Sequence, residues 1–220
     1  MDLSYNSKPL FPTIIHQFDV NGFDEIQNQL IDYVYQFKDK NPEGVKFSNY
    51  GGWQSPHFDI SNDDDLLHSF LVNCLSNFPN ILNSINFNID AWININQPGD
   101  YNDKHDHPNS HQAGVLYLKC PQDCGNIVFD SPMGFECYQE LKSYTEGFKE
   151  LNNVFQSYAF CPLEGRIFVF PAHLAHQVEP NQSNEDRISV SFNIRLDSGR
   201  MNRRGKVSIP TWNFNWSDKK

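Results

Sequence analysis

The sequence contains no apolar run approaching the ~20 residues that a membrane-spanning helix needs, which argues against a helical membrane protein. Its start, MDLSYNSKPLFPT, lacks the apolar core of a signal peptide and predicts a cytoplasmic chain. Basic residues are scarce: 17 Lys and Arg stand against 27 Asp and Glu, a formal charge of -10. Nucleic acid is therefore not expected as the main partner, because a phosphate backbone calls for basic patches. A disulfide framework is also missing. The five cysteines, Cys74, Cys120, Cys124, Cys137 and Cys161, are odd in number and fall in no framework pattern, which suits a reducing compartment. Cys120 and Cys124 are spaced one residue wider than a common zinc knuckle and no second pair matches them, so they read as free thiols near a turn. There is no internal repeat, linker or second domain, and 220 residues suit one domain with a sizeable core.

Residues 10–20 (LFPTIIHQFDV) read as a first strand, rich in β-branched and aromatic residues. In 21–40, Phe23, Ile26, Leu30, Val34 and Phe37 recur at three and four, the period of an amphipathic helix. Residues 44–56 read as a loop. A second helix is expected after Asp63-Asp64-Asp65, whose carboxylates favour a helix start, with Pro79 near its end. From residue 84 the period changes to two. Ile85, Phe87, Ile89, Ala91, Ile93 and Ile95 alternate mainly with asparagine and aspartate, as in a long strand with one buried face. Further strands are expected at 112–120, 125–130, 153–160, 165–172 and 186–196, separated by turn sequences such as QPGD, CPLEG and EPNQSNED. Short strands between such turns indicate a sandwich or barrel, with the leading helices on one sheet. Within 131–152 the stretch CYQELKSYTEGF reads as a surface helix or an insert.

The chemistry centres on DKHDHPNS (103–110). In an extended segment, side chains at i and i+2 share a face, so His105 and His107 point together, and paired imidazoles suit iron, zinc or copper. Two solvated loop histidines are the plain alternative. A third candidate ligand, His176, lies in GRIFVFPAHLAHQVEPN, and Arg187 and Ser189 follow in DRISVSFN. In a jelly roll, strands far apart in sequence pair, so an early pair of ligands can meet a late one. Three ligands on one face leave positions open for substrate and dioxygen. A guanidinium inside a barrel calls for an anion, and Arg187 is the side chain shaped to grip a carboxylate through two parallel hydrogen bonds. Ser189 shares its face.

These stretches, with LFPT, SNYGGWQS, AWININQPGDYNDKHDHPNS, AGVLYLKCP, GNIVFDSP and EGRIFVFPAHLAHQVEPN, run in order over most of the chain. They resemble an iron(II)- and 2-oxoglutarate-dependent oxygenase, more narrowly the 2-oxoglutarate-iron oxygenase family met in marine bacteria and cyanophages. The resemblance implies a mainly β fold: a cupin-like double-stranded β-helix, or jelly roll, with two or more N-terminal helices packed on one sheet. One domain then spans 1–220, with a strand and helices in 1–83, the jelly-roll core in 84–197 and a tail in 198–220. It implies iron(II) on His105, His107 and His176. It also implies 2-oxoglutarate held by Arg187, with Ser189 beside it and Tyr117 as a further donor.

The sequence departs from the superfamily at one position, where His107 stands in place of the usual Asp or Glu of H-x-D/E. The site is then one unit more positive and softer toward zinc or copper. Asp103 is the candidate for a replacement carboxylate, and Asp106 for orienting an imidazole from outside the ligand set. His173 reads as a surface or supporting residue, and His16, His57, His68 and His111 as structural or exposed. The segment GGWQSPHF is either core or cleft wall. Arg200, Arg203, Arg204 and Lys206 read as a solvated tail, and TWNFNW as a surface that could pack on a second subunit. The expected activity is hydroxylation of a small-molecule or peptidyl substrate by a monomer or homodimer. The alternatives are a three-histidine cupin-type lyase, isomerase or oxygenase that does not use 2-oxoglutarate, and a non-catalytic jelly-roll binding module.

Overall fold

In chain order the elements are β1 (His16–Asp19), α1 (Asp24–Lys40), β2 (Asn49–Tyr50), β3 (Trp53–Gln54), β4 (Phe58–Asp59), α2 (Leu66–Ser76), β5 (Phe87–Asn96) and β6 (Tyr101–His105). They continue with β7 (Gln112–Lys119), β8 (Ile127–Asp130), α3 (Glu146–Asn152), β9 (Ser157–Phe160), β10 (Arg166–Pro171), β11 (His176–Val178) and β12 (Arg187–Leu196). The computed structural model describes residues 10–59, 65–76, 87–133 and 141–196, with Ser4, Asn6 and Lys8. The strands form two antiparallel sheets. The larger runs β1-β10-β7-β12-β5-β3, with β4 also pairing β5, and the smaller runs β2-β6-β11-β8-β9.

The period-two sequence of β5 has a different meaning from a core face set against a solvent face. Ile89, Ala91, Ile93 and Ile95 do pack in the core, against Leu30 and Val34 of α1 and Leu67, Phe70 and Leu71 of α2. The residues between them, Asp90, Trp92, Asn94 and Asn96, line a cleft between the sheets. β12 repeats the pattern, with Ile188, Val190, Phe192 and Ile194 in the helix-covered core and Arg187, Ser189, Ser191 and Asn193 toward the cleft. Each fully buried Leu or Val in that core contributes about 1.5–3 kcal/mol. On the other half of the larger sheet the inner face is apolar. There Val115 and Tyr117 of β7 and Phe168 and Phe170 of β10 pack on Ile127 and Phe129 of β8. The inner face of the larger sheet is thus apolar over β7 and β10 and polar over β5 and β12.

Helix α2 begins where the acidic run predicts, and the cause is specific: Asp65 Oδ1 accepts the backbone N–H groups of Leu67 and His68, each at 3.1 Å. The loop expected at 44–56 carries β2 and β3 instead. Each is two residues long, too short to show alternation, and their partners are the distant β6 and β5. Gly51 and Gly52, at φ 67° and 59°, carry the chain from one sheet to the other in a conformation that favours glycine. The first strand is shorter than its composition suggested, because only His16–Asp19 pairs, with β10, and Leu10 and Phe11 are exposed. Of CYQELKSYTEGF, residues 137–140 lie outside the described residues, Leu141 is helical, and α3 follows from Glu146, capped by Thr145. The basic and aromatic tail of 198–220 also lies outside them.

Gly114, in the larger sheet, is closely packed. A Cβ there would stand 2.3 Å from Phe192 Cζ and 2.7 Å from the Phe168 carbonyl oxygen. Gly114→Ala is expected to destabilise the protein by about 1–3 kcal/mol through overpacking, read as a lower urea midpoint with an unchanged slope.

Candidate active site

His105 ends β6 and His176 begins β11, and the two are direct partners across the antiparallel pair. His107 lies two residues beyond the end of β6, where its backbone N–H donates to the Ala172 carbonyl at 2.8 Å. One nitrogen from each of the three rings lies within 4.8 Å of the others, so the three can hold one metal ion. The His107 and His176 rings are nearly parallel, 8° apart, with their Nε2 atoms 3.3 Å from each other. Two rings are locked from behind. His105 Nδ1 lies 2.6 Å from the Asp103 carbonyl, and His176 Nδ1 lies 2.9 Å from the Leu174 carbonyl. A carbonyl can only accept, so both Nδ1 atoms carry the proton and both Nε2 lone pairs are free for a metal. The Asp103 carboxylate is exposed and outside this group; its contribution is the main-chain carbonyl.

Burial keeps all three imidazoles neutral. It lowers the pKa of His105, and with the neighbouring His105 it brings His107 down to about 4 and His176 to about 3. In the metal-free protein the folded values therefore lie below the ~6.5 of an unfolded histidine. Between those values the unfolded chain binds more protons, so stability rises with pH and falls as pH drops. The metal-free protein is expected to lose urea resistance between pH 6.5 and 4, whereas a depressed carboxylate would act only at lower pH.

At the closed end of the cleft, Arg187 is 1 % exposed. Its Nη1 donates to the Cys124 carbonyl and to those of Glu179 at 3.2 Å and Gly125 at 3.5 Å. Its Nη2 is buried with no hydrogen-bond partner. Among the described residues, no carboxylate forms an ion pair with it. A cradle of neutral carbonyls around a guanidinium with a spare donor is built for an anion. Ser189 sits between Tyr117 on β7 and Asn94 on β5 in register, so the three form one row across the floor, with Arg187 and Asn96 paired in the next. Tyr117 and Ser189 are buried and line the same cleft, of about 680 Å³.

The structure thus brings together all six residues singled out in the sequence. Sequence reasoning missed the wall at the open end. His57 stacks on Trp92, with centroids 4.6 Å apart and planes 9° apart, and lies 2.9 Å from Asp90, so it is a cleft residue. The segment GGWQSPHF divides between both readings: Trp53 is core, whereas Gln54 and His57 line the cleft. The available signal was the alternating asparagines of β5. His173 is exposed, as expected.

Residues 90–193 match the family model described as "Putative 2OG-Fe(II) oxygenase". Over that span the chain resembles the 2OG-Fe(II) oxygenases. The oxygenase fold is shared with a Pseudomonas putida prolyl-4-hydroxylase at TM-score 0.57 and 14 % identity, over 84 % of this chain and 94 % of that one. A viral collagen prolyl hydroxylase from Paramecium Bursaria Chlorella virus-1 gives 0.53 and 18 %, over 82 % and 94 %. The carbocyclase SnoK of nogalamycin biosynthesis gives 0.59 and 12 %, over 84 % and 80 %. No curated protein matches the chain in sequence. The two sheets are therefore a jelly roll, the protein is an enzyme, and its cofactors are iron(II) and 2-oxoglutarate. Among the described residues no helix is long and apolar enough to cross a membrane.

Proposed function

We propose that this oxygenase hydroxylates a C–H bond of a small-molecule or peptidyl substrate, with His105, His107 and His176 as iron ligands and Arg187, Ser189 and Tyr117 holding 2-oxoglutarate. The observation that carries this reading is Arg187, a buried cation with a spare donor in the same cleft as the three imidazoles. A site serving only a metal has no need of it. Bound iron supplies the redox chemistry that couples 2-oxoglutarate and dioxygen to succinate, carbon dioxide and a hydroxylated product. The chain's own part is orientation. Neutral imidazoles present bare Nε2 atoms, the Tyr117–Ser189 row offers hydroxyl donors, and the apolar half of the sandwich excludes water.

The structural neighbours include hydroxylases of prolyl residues and a carbocyclase, which supports either a peptide or a small molecule as substrate. A cytoplasmic setting is supported by the five cysteines, odd in number and in no framework pattern. Iron(II) and 2-oxoglutarate added anaerobically are expected to give a weak visible charge-transfer band, and succinate should form on admission of air. Metal binding with neither signal would favour a zinc enzyme of the three-histidine cupin type, toward which the all-imidazole donor set leans.

A further inference from the structure

This inference rests on the three-imidazole reading above. Main-chain carbonyls fix His105 and His176 through Nδ1. His107 has no such bond among those described. Its Nε2 is turned to His176, and its ring lies 5.7 Å from Trp92 and 6.4 Å from Phe170, neither of which offers an acceptor to Nδ1. A polar neighbour within reach is Asn193. It is 8 % exposed, on the inward face of β12, and its side chain lies close enough to act as a hydrogen-bond partner of the His107 ring. Asn193 Oδ1 is buried and makes no fully aligned bond to any group. A buried acceptor without a donor, beside an imidazole without an acceptor, forms a matched pair that a small rotation aligns.

We propose that Asn193 is the positioning residue for His107: its Oδ1 accepts the Nδ1–H, selects the tautomer with a bare Nε2, and holds that lone pair toward the metal. A side chain thereby does for the third ligand what the backbone does for the other two. His107 lies outside a strand, so its orientation is the one that β-pairing does not already set.

The test uses the full chain, cobalt(II) as probe, and four proteins: wild type, N193A, N193D and H107A. Cobalt affinity and visible absorption are recorded, with urea midpoints of the metal-free proteins as the fold control. N193A is expected to weaken cobalt binding by roughly 10- to 100-fold, the range for partners that orient a ligand from behind, while keeping the wild-type urea midpoint. N193D, which places a carboxylate behind the imidazole, is expected to bind at least as tightly as wild type and to shift the absorption. A folded N193A with wild-type cobalt affinity overturns the inference and leaves Asn193 as a wall of the cleft. So does a folded N193D that binds cobalt more weakly than wild type, which keeps the test open if N193A does not fold. If H107A also binds normally, the three-imidazole reading fails instead. If H107A loses the metal and N193A does not, only the present inference fails.

Discussion

Arg187→Met is expected to abolish 2-oxoglutarate binding at working concentrations while leaving the fold and the metal site in place. A hydrogen bond to a charged group contributes about 1.5–3 kcal/mol. Loss of a two-pronged grip therefore costs about 3–4 kcal/mol, or roughly 10²- to 10³-fold in affinity. Stability should move much less. Met fills similar volume, and three carbonyls lose a donor, but the variant also no longer desolvates a cation that is 1 % exposed. Titration calorimetry of 2-oxoglutarate into anaerobic, manganese-loaded protein measures the first effect, and urea unfolding the second. Arg187→Lys should fall between, since it keeps the charge and loses the fork. Equal affinity in wild type and R187M would remove the basis for 2-oxoglutarate at this end of the cleft.

His176→Ala is expected to eliminate turnover, with a loss of metal affinity exceeding the roughly 10- to 100-fold typical of residues behind the ligands. His176 is the shared neighbour of the other two rings, 4.4 Å from His105 and 5.1 Å from His107 between centroids, and is 4 % exposed. Its removal leaves two imidazoles and a void. His107→Asp is the informative comparison, because it restores the donor set common to non-haem iron oxygenases. That variant should keep iron and discriminate better against zinc. Metal content after dialysis against equal iron(II) and zinc(II) under anaerobic conditions reads both outcomes. A wild-type metal content in H176A would remove this residue from the ligand set.

The sequence made some of this legible and hid the rest for identifiable reasons. The period of α1 and the alternation of β5 and β12 are local signals, and both survive in the structure. The i, i+2 spacing brought His105 and His107 together correctly. That His176 pairs with His105 is a non-local fact; no local pattern encodes it, and the family resemblance supplied it. The polar face of β5 was visible as asparagines, but alternation alone does not say whether a polar face meets solvent or a cleft. The register with β12, which sets Asp90 beside Asn193 and Asn94 beside Ser189, decides that. His57 was missed because its partners, Asp90 and Trp92, lie on a different strand. β2 and β3 were missed because two residues carry no periodicity.

The carbonyl cradle around Arg187 has a consequence for how the diacid arrives. The chain as a whole carries ten more negative than positive charges, so a dianion approaching from bulk solvent is expected to be repelled before it reaches Arg187, the buried one of the three cations (Lys104, Arg187 and Arg195) that line the cleft. Added salt shortens the reach of that repulsion, to about 10 Å at 0.1 M, and scarcely weakens a contact already sealed from water. Entry is therefore expected to quicken with ionic strength while retention holds, the reverse of the salt response of a ligand drawn in by surface charge.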